Sequence, residues 1–275
     1  MKVAFQGEHG AYSELAAVQL FGRTIETIPC KTFSEVFNIV EKGDAHYGLI
    51  PIENSLEGSI GQNYDLLLKT DLKVSGETIL RIVHCLIANR GAFLDKIKKV
   101  YSHPQALGQC REFLEELNIT TIPVYDTAGS VKMVKESGDK DAAGIASELA
   151  ANIYHMKILK KGIETNKNNF TRFFVISKNE ALPTGDDKTS LVFMARHEPG
   201  SLYQALKAFA DKKINLTKLE SRPIIGKPWE YRFYLDFIGH LEEHHIKEAI
   251  KDLRKNSTFV RVIGSYPKAN HPNQK

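Results

Sequence analysis

The chain has 275 residues, a length that allows two domains or one large one. Hydrophobic residues make up 42% of the sequence and charged residues 25%, which is ordinary for a globular protein. The net charge of +4, from 37 basic and 33 acidic residues, is too small to indicate a nucleic-acid partner, although it suits an anionic substrate.

The first part of the chain alternates short apolar strands with helices. Thr32 is predicted to cap the second helix, because Glu35 follows it at capping-box spacing. The predicted elements are strand Lys2–Gln6, helix Ser13–Phe21, strand Ile25–Cys30, a helix after Thr32 and the apolar strand Tyr47–Ile52. This order indicates a mainly parallel sheet covered by helices.

A second set of alternating elements indicates a second α/β lobe. It comprises the apolar segment Ile79–Ala88, strand Lys99–Tyr101, a helix from Pro104 to about Leu117, strand Thr120–Tyr125, a helix capped by Asp126 or Thr127, strand Ala142–Ala146, helix Ser147–Tyr154 and strand Thr171–Ser177. Leu72–Thr78 and Ile163–Asn169 are candidate crossings between the lobes. Ligands in such sheets bind beyond the carboxyl ends of strands, near lobe junctions.

The remaining chain predicts a smaller domain after the polar linker Glu180–Lys188. Its pattern is β-α-β-β-α-β: strand Ser190–Ala195, helix Ser201–Lys212, strand Ile214–Arg222, turn Pro223–Pro228, strand Trp229–Phe237, helix Glu242–Lys255 and strand Phe259–Gly264. This resembles the ACT domain, a regulatory fold that binds amino acids. We therefore expect a two-lobed α/β domain over residues 1–180, an ACT domain over 187–267 and a disordered tail over 268–275.

Cysteine usage and hydropathy bear on the compartment. Cys30, Cys85 and Cys110 are scattered, without C-x-x-C spacing, so we expect buried free thiols and neither a disulfide framework nor a zinc site. The N-terminus turns polar at Gln6, and no run of 18 apolar residues exists. We expect a cytoplasmic protein without a membrane partner.

Two groups of charged or titratable residues are interpreted as solvent-exposed. Lys157, Lys160 and Lys161 are interpreted as the solvated face of a helix end, and His244 and His245 as solvated residues rather than metal ligands.

The most informative segment is residues 168–177, where a polar loop becomes an apolar strand. Thr171 and Arg172 stand at the strand mouth, where a hydroxyl and a guanidinium can handle a proton and a carboxylate. Strand alternation places these two side chains on opposite faces, so Arg172 contacts a ligand directly only if the chain bends. Phe173 shares the face of Thr171.

Four further segments accompany this one in a fixed order. They are Val3–Glu14, Ile50–Gly61, Tyr101–Cys110 and Leu219–Pro223, the last reading Leu-Glu-Ser-Arg-Pro. Together with Thr-Arg-Phe they resemble prephenate dehydratase over about residues 1–267. The resemblance implies a periplasmic-binding-protein-like pair of lobes, a ferredoxin-like ACT domain and a homodimer or homotetramer. It also implies conversion of prephenate to phenylpyruvate, CO2 and water in phenylalanine biosynthesis, with feedback by L-phenylalanine.

The resemblance also assigns roles to residues. It implies catalytic roles for Thr171, Glu53, Asn54, Ser102 and Gln109. The expected substrate-binding residues are Arg172, Phe173, Gly7, Ser13, Ser55, Thr127, Ala128 and Ser147. The expected phenylalanine-binding residues are Gly200, Ser201, Leu202, Glu220, Ser221, Arg222 and Pro223. Aromatisation of the ring drives the reaction, so we expect no cofactor and no metal.

Three questions stay open at this point. Arogenate dehydratase shares these motifs and differs in a substrate amine. A solute-binding protein also has two lobes, although the ACT-like domain weighs against it. His103 is a further candidate for the general acid, and the donor to the leaving hydroxyl is not identified.

Overall fold

A computed structural model of the chain describes residues 1–224 and 226–270. The chain divides into two compact units, residues 1–66 with 78–174 and residues 67–77 with 175–270. The strands are β1 Lys2–Gln6, β2 Glu26–Cys30, β3 Tyr47–Asn54, β4 Gly58–Ser59, β5 Lys73–Arg81, β6 Cys85–Ala88, β7 Lys99–Ser102, β8 Thr120–Pro123, β9 Ala142–Ala146, β10 Lys157–Lys161, β11 Phe170–Ser177, β12 Asp187–Ala195, β13 Leu216–Ile224, β14 Lys227–Ile238 and β15 Ser257–Pro267. The helices are α1 Tyr12–Phe21, α2 Phe33–Lys42, α3 Gly61–Leu67, α4 Pro104–Gln109, α5 Arg111–Glu116, α6 Thr127–Ser137, α7 Glu148–Ile153, α8 Ser201–Ala210 and α9 His244–Lys255.

The first lobe is built on a sheet with the order β2-β1-β3-β11-β5, and β4 pairs with β3. β1 pairs in parallel with both β2 and β3. Val3, Ala4 and Phe5 are completely buried, because a parallel strand with helices on both faces has no solvent side. The predicted cap of α2 is confirmed: Thr32 accepts a hydrogen bond from the backbone N–H of Glu35.

The second lobe is built on a sheet with the order β10-β6-β9-β7-β8. β7 pairs in parallel with β8 and β9, whereas β6 runs antiparallel to β9 and β10. The sheet is thus mixed. Lys157, Lys160 and Lys161 belong to β10, so the helix end predicted for them is wrong.

Two chain crossings join the lobes, and only one of them lies where the sequence predicts it. The crossing predicted at Leu72–Thr78 is wrong, because Lys73–Arg81 is strand β5, and the chain changes lobe at residues 82–84 instead. The second crossing, between β10 and β11, contains Ile163–Asn169 as predicted. The two crossings are bonded to each other: Gly162 N–H donates to the His84 carbonyl at 2.8 Å, and Ile82 N–H to the Asn169 carbonyl at 2.8 Å.

The C-terminal sheet has the order β13-β14-β12-β15 with all neighbours antiparallel. Leu191, Phe193, Phe209, Leu235 and Leu253 form its core with α8 and α9. The predicted ferredoxin-like β-α-β-β-α-β order is therefore confirmed. The turn predicted at Pro223–Pro228 is shorter, since β13 runs to residue 224 and β14 begins at residue 227. Proline is tolerated in β13 because this strand lies at the sheet edge.

Three local predictions also differ from the structure. The helix predicted from Pro104 to Leu117 is two helices, because the chain leaves helical geometry at Cys110, with φ −107° and ψ 14°. Helix α3 is not predicted at all. The expected tail does not begin at residue 268: Lys268 N–H donates to the Asp186 carbonyl and Ala269 N–H to Glu77 Oε1, each at 3.0 Å, while residues 271–275 lie outside the described residues.

The predicted thiol state is confirmed, since Cys30, Cys85 and Cys110 are free and buried. Burial raises the pKa of Cys30 and that of Cys85 to about 11, so both thiols are protonated at neutral pH and poorly reactive. Over residues 1–224 and 226–270, no helix is long and apolar enough to cross a membrane.

Candidate active site

A cavity of about 450 Å³ opens between the two lobes, a size typical of small-molecule sites. It lies where several strands of both sheets end, as in other α/β proteins. It is lined by Gln6, Ala11, Tyr12, Ser13, Thr32, Phe33, Pro51, Asn54, Ile60, Gln62, Ile82, His84, His103, Gln105, Ala106, Gln109, Tyr125, Asp126, Thr127, Thr171 and Phe173.

Some of the predicted site residues line this cavity, and others lie outside its lining. Six of them line it: Thr171, Asn54, Gln109, Phe173, Ser13 and Thr127. Seven do not: Glu53, Ser102, Arg172, Gly7, Ser55, Ala128 and Ser147. Their neighbours in the structure explain what these seven do instead.

Arg172 points away from the cavity because β11 is a regular strand at this point. Thr171 and Phe173 face the cavity, so Arg172 faces the other side. There its guanidinium lies 4.9 Å from the ring centre of Phe174, and its Nη1 lies 3.7 Å from Glu53 Oε2. This geometry does not support the direct substrate contact expected for Arg172, and it makes Glu53 an ion-pair partner of Arg172 on the side of β11 away from the cavity.

Three of the four serines expected at the site, all but Ser13, lie outside the cavity lining and have backbone partners. Ser102 is fully buried, and its hydroxyl donates to the Ile145 carbonyl at 2.7 Å. Ser55 Oγ donates to the Asn168 carbonyl at 2.8 Å. Ser147 Oγ donates to the Gly10 carbonyl at 2.6 Å, and it caps α7 by accepting a hydrogen bond from the Ala150 N–H. These three hydroxyls donate to backbone carbonyls, and none of them lines the cavity.

Gly7 and Ala128 both lie beside Asp126, whose carboxylate bonds to backbone of both lobes. Asp126 Oδ1 accepts from the N–H groups of Ala128 and Gly129, so Asp126 caps the N-terminus of α6. Asp126 Oδ2 accepts from Glu8 N–H at 2.9 Å. A Cβ on Gly7 would lie 2.9 Å from the same oxygen, and its φ of +116° also requires glycine. The contact therefore explains Gly7 without a ligand.

The hydrogen-bond partners of Asn54 allow only one orientation of its side-chain amide. Its Oδ1 accepts from the backbone N–H groups of Leu56 and Glu57, at 2.9 and 3.1 Å. Its Nδ2 faces the Phe170 carbonyl at 3.2 Å. Backbone N–H groups only donate and carbonyls only accept, so turning the amide round would create three repulsive contacts, with Leu56 N–H, Glu57 N–H and the Phe170 carbonyl.

This orientation determines what the Thr171 hydroxyl does. Asn54 Nδ2 lies 3.0 Å from Thr171 Oγ1 and donates to it. Thr171 is 8% exposed and faces the cavity, and none of the described residues accepts its proton. The hydroxyl is therefore held by its oxygen, with its proton available to an acceptor inside the cavity.

Gln109 is the next polar group along the cavity wall. Its Oε1 lies 2.8 Å from Asn169 Nδ2 and 2.9 Å from His84 Nε2. The other ring nitrogen of His84 lies 2.8 Å from the Tyr12 hydroxyl. Burial lowers the pKa of His84 more than its bond to Gln109 raises it, so the imidazole is neutral at neutral pH. Burial also raises the pKa of Tyr12 well above its usual value, which keeps the phenol protonated.

Sequence reasoning missed Tyr12, His84 and Asn169 as site residues. Tyr12 and Asn169 stand in or beside motifs that the sequence analysis singled out. His84 lies in the apolar segment Ile79–Ala88, where Arg81 and His84 are the two polar residues of an otherwise hydrophobic run, so His84 could have been noticed.

The cavity wall is polar but carries little charge. None of the described residues that line it is a lysine or an arginine, and Asp126 is the carboxylate among them. Ala11, Tyr12 and Ser13 bring the N-terminus of α1 to the wall, and this helix end has no side-chain cap. Its unpaired backbone N–H groups and the helix dipole favour an anion. Across residues 1–224 and 226–270, no group of three metal-binding side chains is present.

Comparison with known proteins assigns the chain to a family. The prephenate dehydratase family model matches residues 3–181, and the ACT domain model matches residues 189–255. The chain belongs to the prephenate dehydratase family. It is 42% identical over 271 residues to a bifunctional chorismate mutase/prephenate dehydratase of Aquifex aeolicus, covering 98% of this chain and 74% of that protein. It is 41% identical over 278 residues to an arogenate dehydratase/prephenate dehydratase of Arabidopsis thaliana, covering 97% and 73%.

Solved structures with the same fold include proteins described by different activities. The prephenate dehydratase of Arthrobacter aurescens, solved in complex with L-Phe, matches with a TM-score of 0.88 and 30% identity over 98% of this chain and 90% of that one. GqqA, described as a novel type of quorum quenching acylase, matches with a TM-score of 0.90 and 34% identity over the full length of both chains. The fold of this family member is thus shared along its whole length.

The ACT domain of this prephenate dehydratase family member contains a separate cavity of about 700 Å³. Gly200, Ser201 and Leu202 line it, and they form the start of α8, which has no side-chain cap. The other lining residues come mainly from residues 194–199 and from β14: Met194, Ala195, Arg196, His197, Glu198, Pro199, Tyr203, Trp229, Glu230, Tyr231, Phe233 and Thr258.

The second group of expected effector residues lies apart from this cavity in the described structure. Glu220, Ser221, Arg222 and Pro223 belong to the edge strand β13 and do not line it. Ser221 pairs with Phe233, which lines the cavity, so the two share a face of the sheet. Glu220 is on the opposite face, where Lys218 lies 3.0 Å from its Oε2. The sequence prediction of one site made of both groups stays untested.

Proposed function

We propose that this chain is a prephenate dehydratase that converts prephenate to phenylpyruvate, CO2 and water, and that L-phenylalanine regulates it through the ACT domain. The observation that carries the proposal is the hydroxyl of Thr171, whose oxygen is held by Asn54 while its proton faces the cavity. Such a group can donate to an oxygen that leaves a substrate. Membership in the family supplies the substrate class.

The reaction requires stabilisation at the departing oxygen. The C–O bond to the ring hydroxyl breaks, the electrons of the bond to the ring carboxylate enter the ring, and CO2 leaves. The departing hydroxide takes one proton from solvent to become water. Thr171 is too weak an acid to lose its proton for good, so it stabilises the developing negative charge by a hydrogen bond, and no redox partner is needed.

The carboxylates of the substrate meet neutral donors in this scheme. The uncapped start of α1 offers backbone N–H groups from Tyr12 and Ser13, and Gln109 offers a side-chain amide. Arg172 and Glu53 act behind the wall, where they support β11 and β3. Phe173 packs against the ring of the substrate, because it lines the cavity beside Thr171.

The direct test is turnover of prephenate by the purified chain, followed as the absorbance of phenylpyruvate. Activity with Thr171→Ser and a large loss with Thr171→Val are expected, since serine keeps the hydroxyl and valine keeps only the shape. A wild-type chain that does not turn over prephenate or arogenate overturns the proposal.

Arogenate is the second candidate substrate, because a relative named for both activities is 41% identical. Arogenate carries an ammonium group where prephenate has a ketone, and Asp126 is the carboxylate in the described cavity wall. Asp126→Asn keeps the oxygen that caps α6 and removes the charge, and it also loses the bond that Oδ2 accepts from Glu8 N–H, so the readout is the ratio of the two kcat/KM values rather than either value alone. If arogenate is used, this variant should lower kcat/KM for arogenate more than for prephenate, and an unchanged ratio excludes recognition through Asp126.

Regulation is proposed from the ACT cavity. A carboxylate fits the uncapped start of α8, and the aromatic residues Trp229, Tyr231 and Phe233 suit the phenyl ring. Gly200→Val should abolish inhibition by phenylalanine and leave basal turnover unchanged. Gly185→Val is the matched control, because both glycines have positive φ, 81° and 90°, and open space around a Cβ. Loss of inhibition in both variants would indicate a general disturbance of the domain.

We also propose that the chain forms a homo-oligomer, a dimer or a tetramer, because ACT domains usually complete their sites by pairing. Sedimentation of the chain with and without phenylalanine tests this. A monomer that still responds to phenylalanine would contradict it. We propose a cytoplasmic location as well, because Cys30, Cys85 and Cys110 are free thiols.

A further inference from the structure

We infer that His84 and Asn169 are positioning residues, which together hold the Gln109 amide with its N–H groups directed into the cavity. The inference rests on the proposed dehydratase function only for its kinetic test. The orientation itself follows from the hydrogen bonds of the described residues, taken one at a time from the backbone outward.

The first step starts at Asn54, whose amide is fixed by backbone groups. Its Nδ2 also lies 2.8 Å from Asn169 Oδ1. Because Nδ2 donates, the Asn169 atom facing it must be the oxygen, and the other end of the Asn169 amide must be the nitrogen. Asn169 is completely buried, so water does not offer an alternative partner.

The second step passes from Asn169 to Gln109. Asn169 Nδ2 faces Gln109 Oε1 at 2.8 Å, so the Gln109 atom must be an acceptor. His84 approaches the same oxygen at 2.9 Å. The imidazole is neutral and Gln109 Oε1 can only accept, so the imidazole carries its proton on Nε2 and leaves Nδ1 as an acceptor. The Tyr12 hydroxyl has two acceptors within reach, His84 Nδ1 at 2.8 Å and the Val83 carbonyl at 3.1 Å, and it donates to the nearer Nδ1. Every orientation in the series follows from the one before it.

His84 is itself held firmly enough to act on Gln109. It is 2% exposed, and its backbone N–H donates to Glu164 Oε2 at 3.0 Å. Its carbonyl accepts from Gly162 and Ile163 of the second crossing. The imidazole thus sits where the two crossings between the lobes are bonded together.

Gln109 Oε1 therefore has two donors, and its Nε2 has no acceptor among the described residues. Gln109 lines the cavity, so both N–H groups of Nε2 are available to an anionic oxygen there. Without the two donors, the amide can turn and present its oxygen instead, which would repel a substrate carboxylate.

The kinetic test compares His84→Leu, which removes the donor, with His84→Gln, whose amide N–H can replace Nε2–H. His84→Leu should lower kcat/KM for prephenate by about tenfold or more, and His84→Gln should recover much of this. The decisive measurement is a double-mutant cycle with Gln109→Ala. In that background His84→Leu should cause no further loss, because no amide remains to be oriented. Equal losses with and without Gln109 would overturn the inference and leave His84 a purely structural residue.

A second measurement does not depend on turnover, and the His84 signal is identified among those of the ten histidines by its absence from the spectrum of His84→Gln. The ¹⁵N spectrum of the ligand-free wild-type protein reports the tautomer of His84. Protonated Nε2 and unprotonated Nδ1 are expected, and a neutral Nδ1–H tautomer would overturn the inference, because Gln109 Oε1 would then lose one donor. This result separates failure of the inference from failure of the proposed function, which wild-type turnover tests alone.

Discussion

Thr171→Val removes one hydroxyl and changes little else in the structure. Valine has nearly the shape of threonine, and its β-branched side chain favours the strand conformation of β11. Asn54 Nδ2 loses one of three acceptors but keeps Asn169 Oδ1 at 2.8 Å and the Phe170 carbonyl at 3.2 Å, one for each of its two protons. No buried donor is left unpaired, so the free energy of unfolding should change by no more than about 1 kcal/mol.

The effect on turnover should be much larger. If the Thr171 proton stabilises the departing oxygen, its removal resembles the loss of one oxyanion donor, which costs roughly 10²–10³ in kcat, or about 2.7–4 kcal/mol. KM should change less than kcat, because the charge on the oxygen develops only in the transition state. Thr171→Ser keeps a hydroxyl on the same face and should retain turnover within about tenfold of wild type.

The assay pairs phenylpyruvate absorbance with thermal unfolding followed by circular dichroism, on wild type and both variants. If Thr171→Val keeps more than about a tenth of the wild-type kcat, less than about 1.4 kcal/mol is at stake and Thr171 is not the donor. A large loss of kcat accompanied by an equally large loss of stability would also refute the reasoning, since the structure predicts that the two effects separate.

Four further outcomes are expected. Arg172→Lys should lower the free energy of unfolding by up to about 1 kcal/mol, because an ammonium replaces the planar guanidinium over the Phe174 ring, while KM changes less than about threefold; a large rise in KM would restore a direct substrate contact for Arg172. Gly10→Ala should destabilise the fold far more than Gly22→Ala in thermal melts, because both have positive φ but only a Cβ on Gly10 would lie 2.5 Å from a backbone atom. The folded pKa of His84 lies below the unfolded value of 6.5, so the unfolded state binds the extra proton and stability should fall as pH drops through 6.5; urea unfolding should show a smaller fall in His84→Gln. Dialysis against EDTA should leave turnover unchanged, and a chelator-sensitive rate would require a metal that the reaction as written does not need.

The fold was largely predictable because apolar periodicity and caps act locally. The capping box at Thr32 and Glu35 and the alternating elements of the ACT domain are examples. The crossing at residues 82–84 was not predictable in the same way. Ile82 and His84 are 5% and 2% exposed, so the chain stays buried as it changes lobe, and hydrophobicity alone cannot mark the break.

The site shows a similar division between local and distant information. Strand alternation correctly placed Thr171 and Phe173 on one face and Arg172 on the other. The partners of Gln109 could not be found this way, because Asn169 is 60 residues away and His84 is 25. Sequence spacing does not predict hydrogen bonds between distant residues. The bonds of Gln109 depend on where the second crossing, residues 163–169, places Asn169 in the folded chain.

The absence of lysine and arginine from the described cavity wall fits the proposed chemistry. During the reaction, negative charge leaves a carboxylate, which departs as neutral CO2, and appears on the departing hydroxyl oxygen. A guanidinium held against that carboxylate would stabilise the substrate more than the transition state and would slow the step. Neutral amides and a helix N-terminus hold the anions less tightly, while the Thr171 proton meets the charge where it develops. The orientation of Arg172 away from the cavity is therefore consistent with catalysis, since its charge supports β11 without opposing decarboxylation.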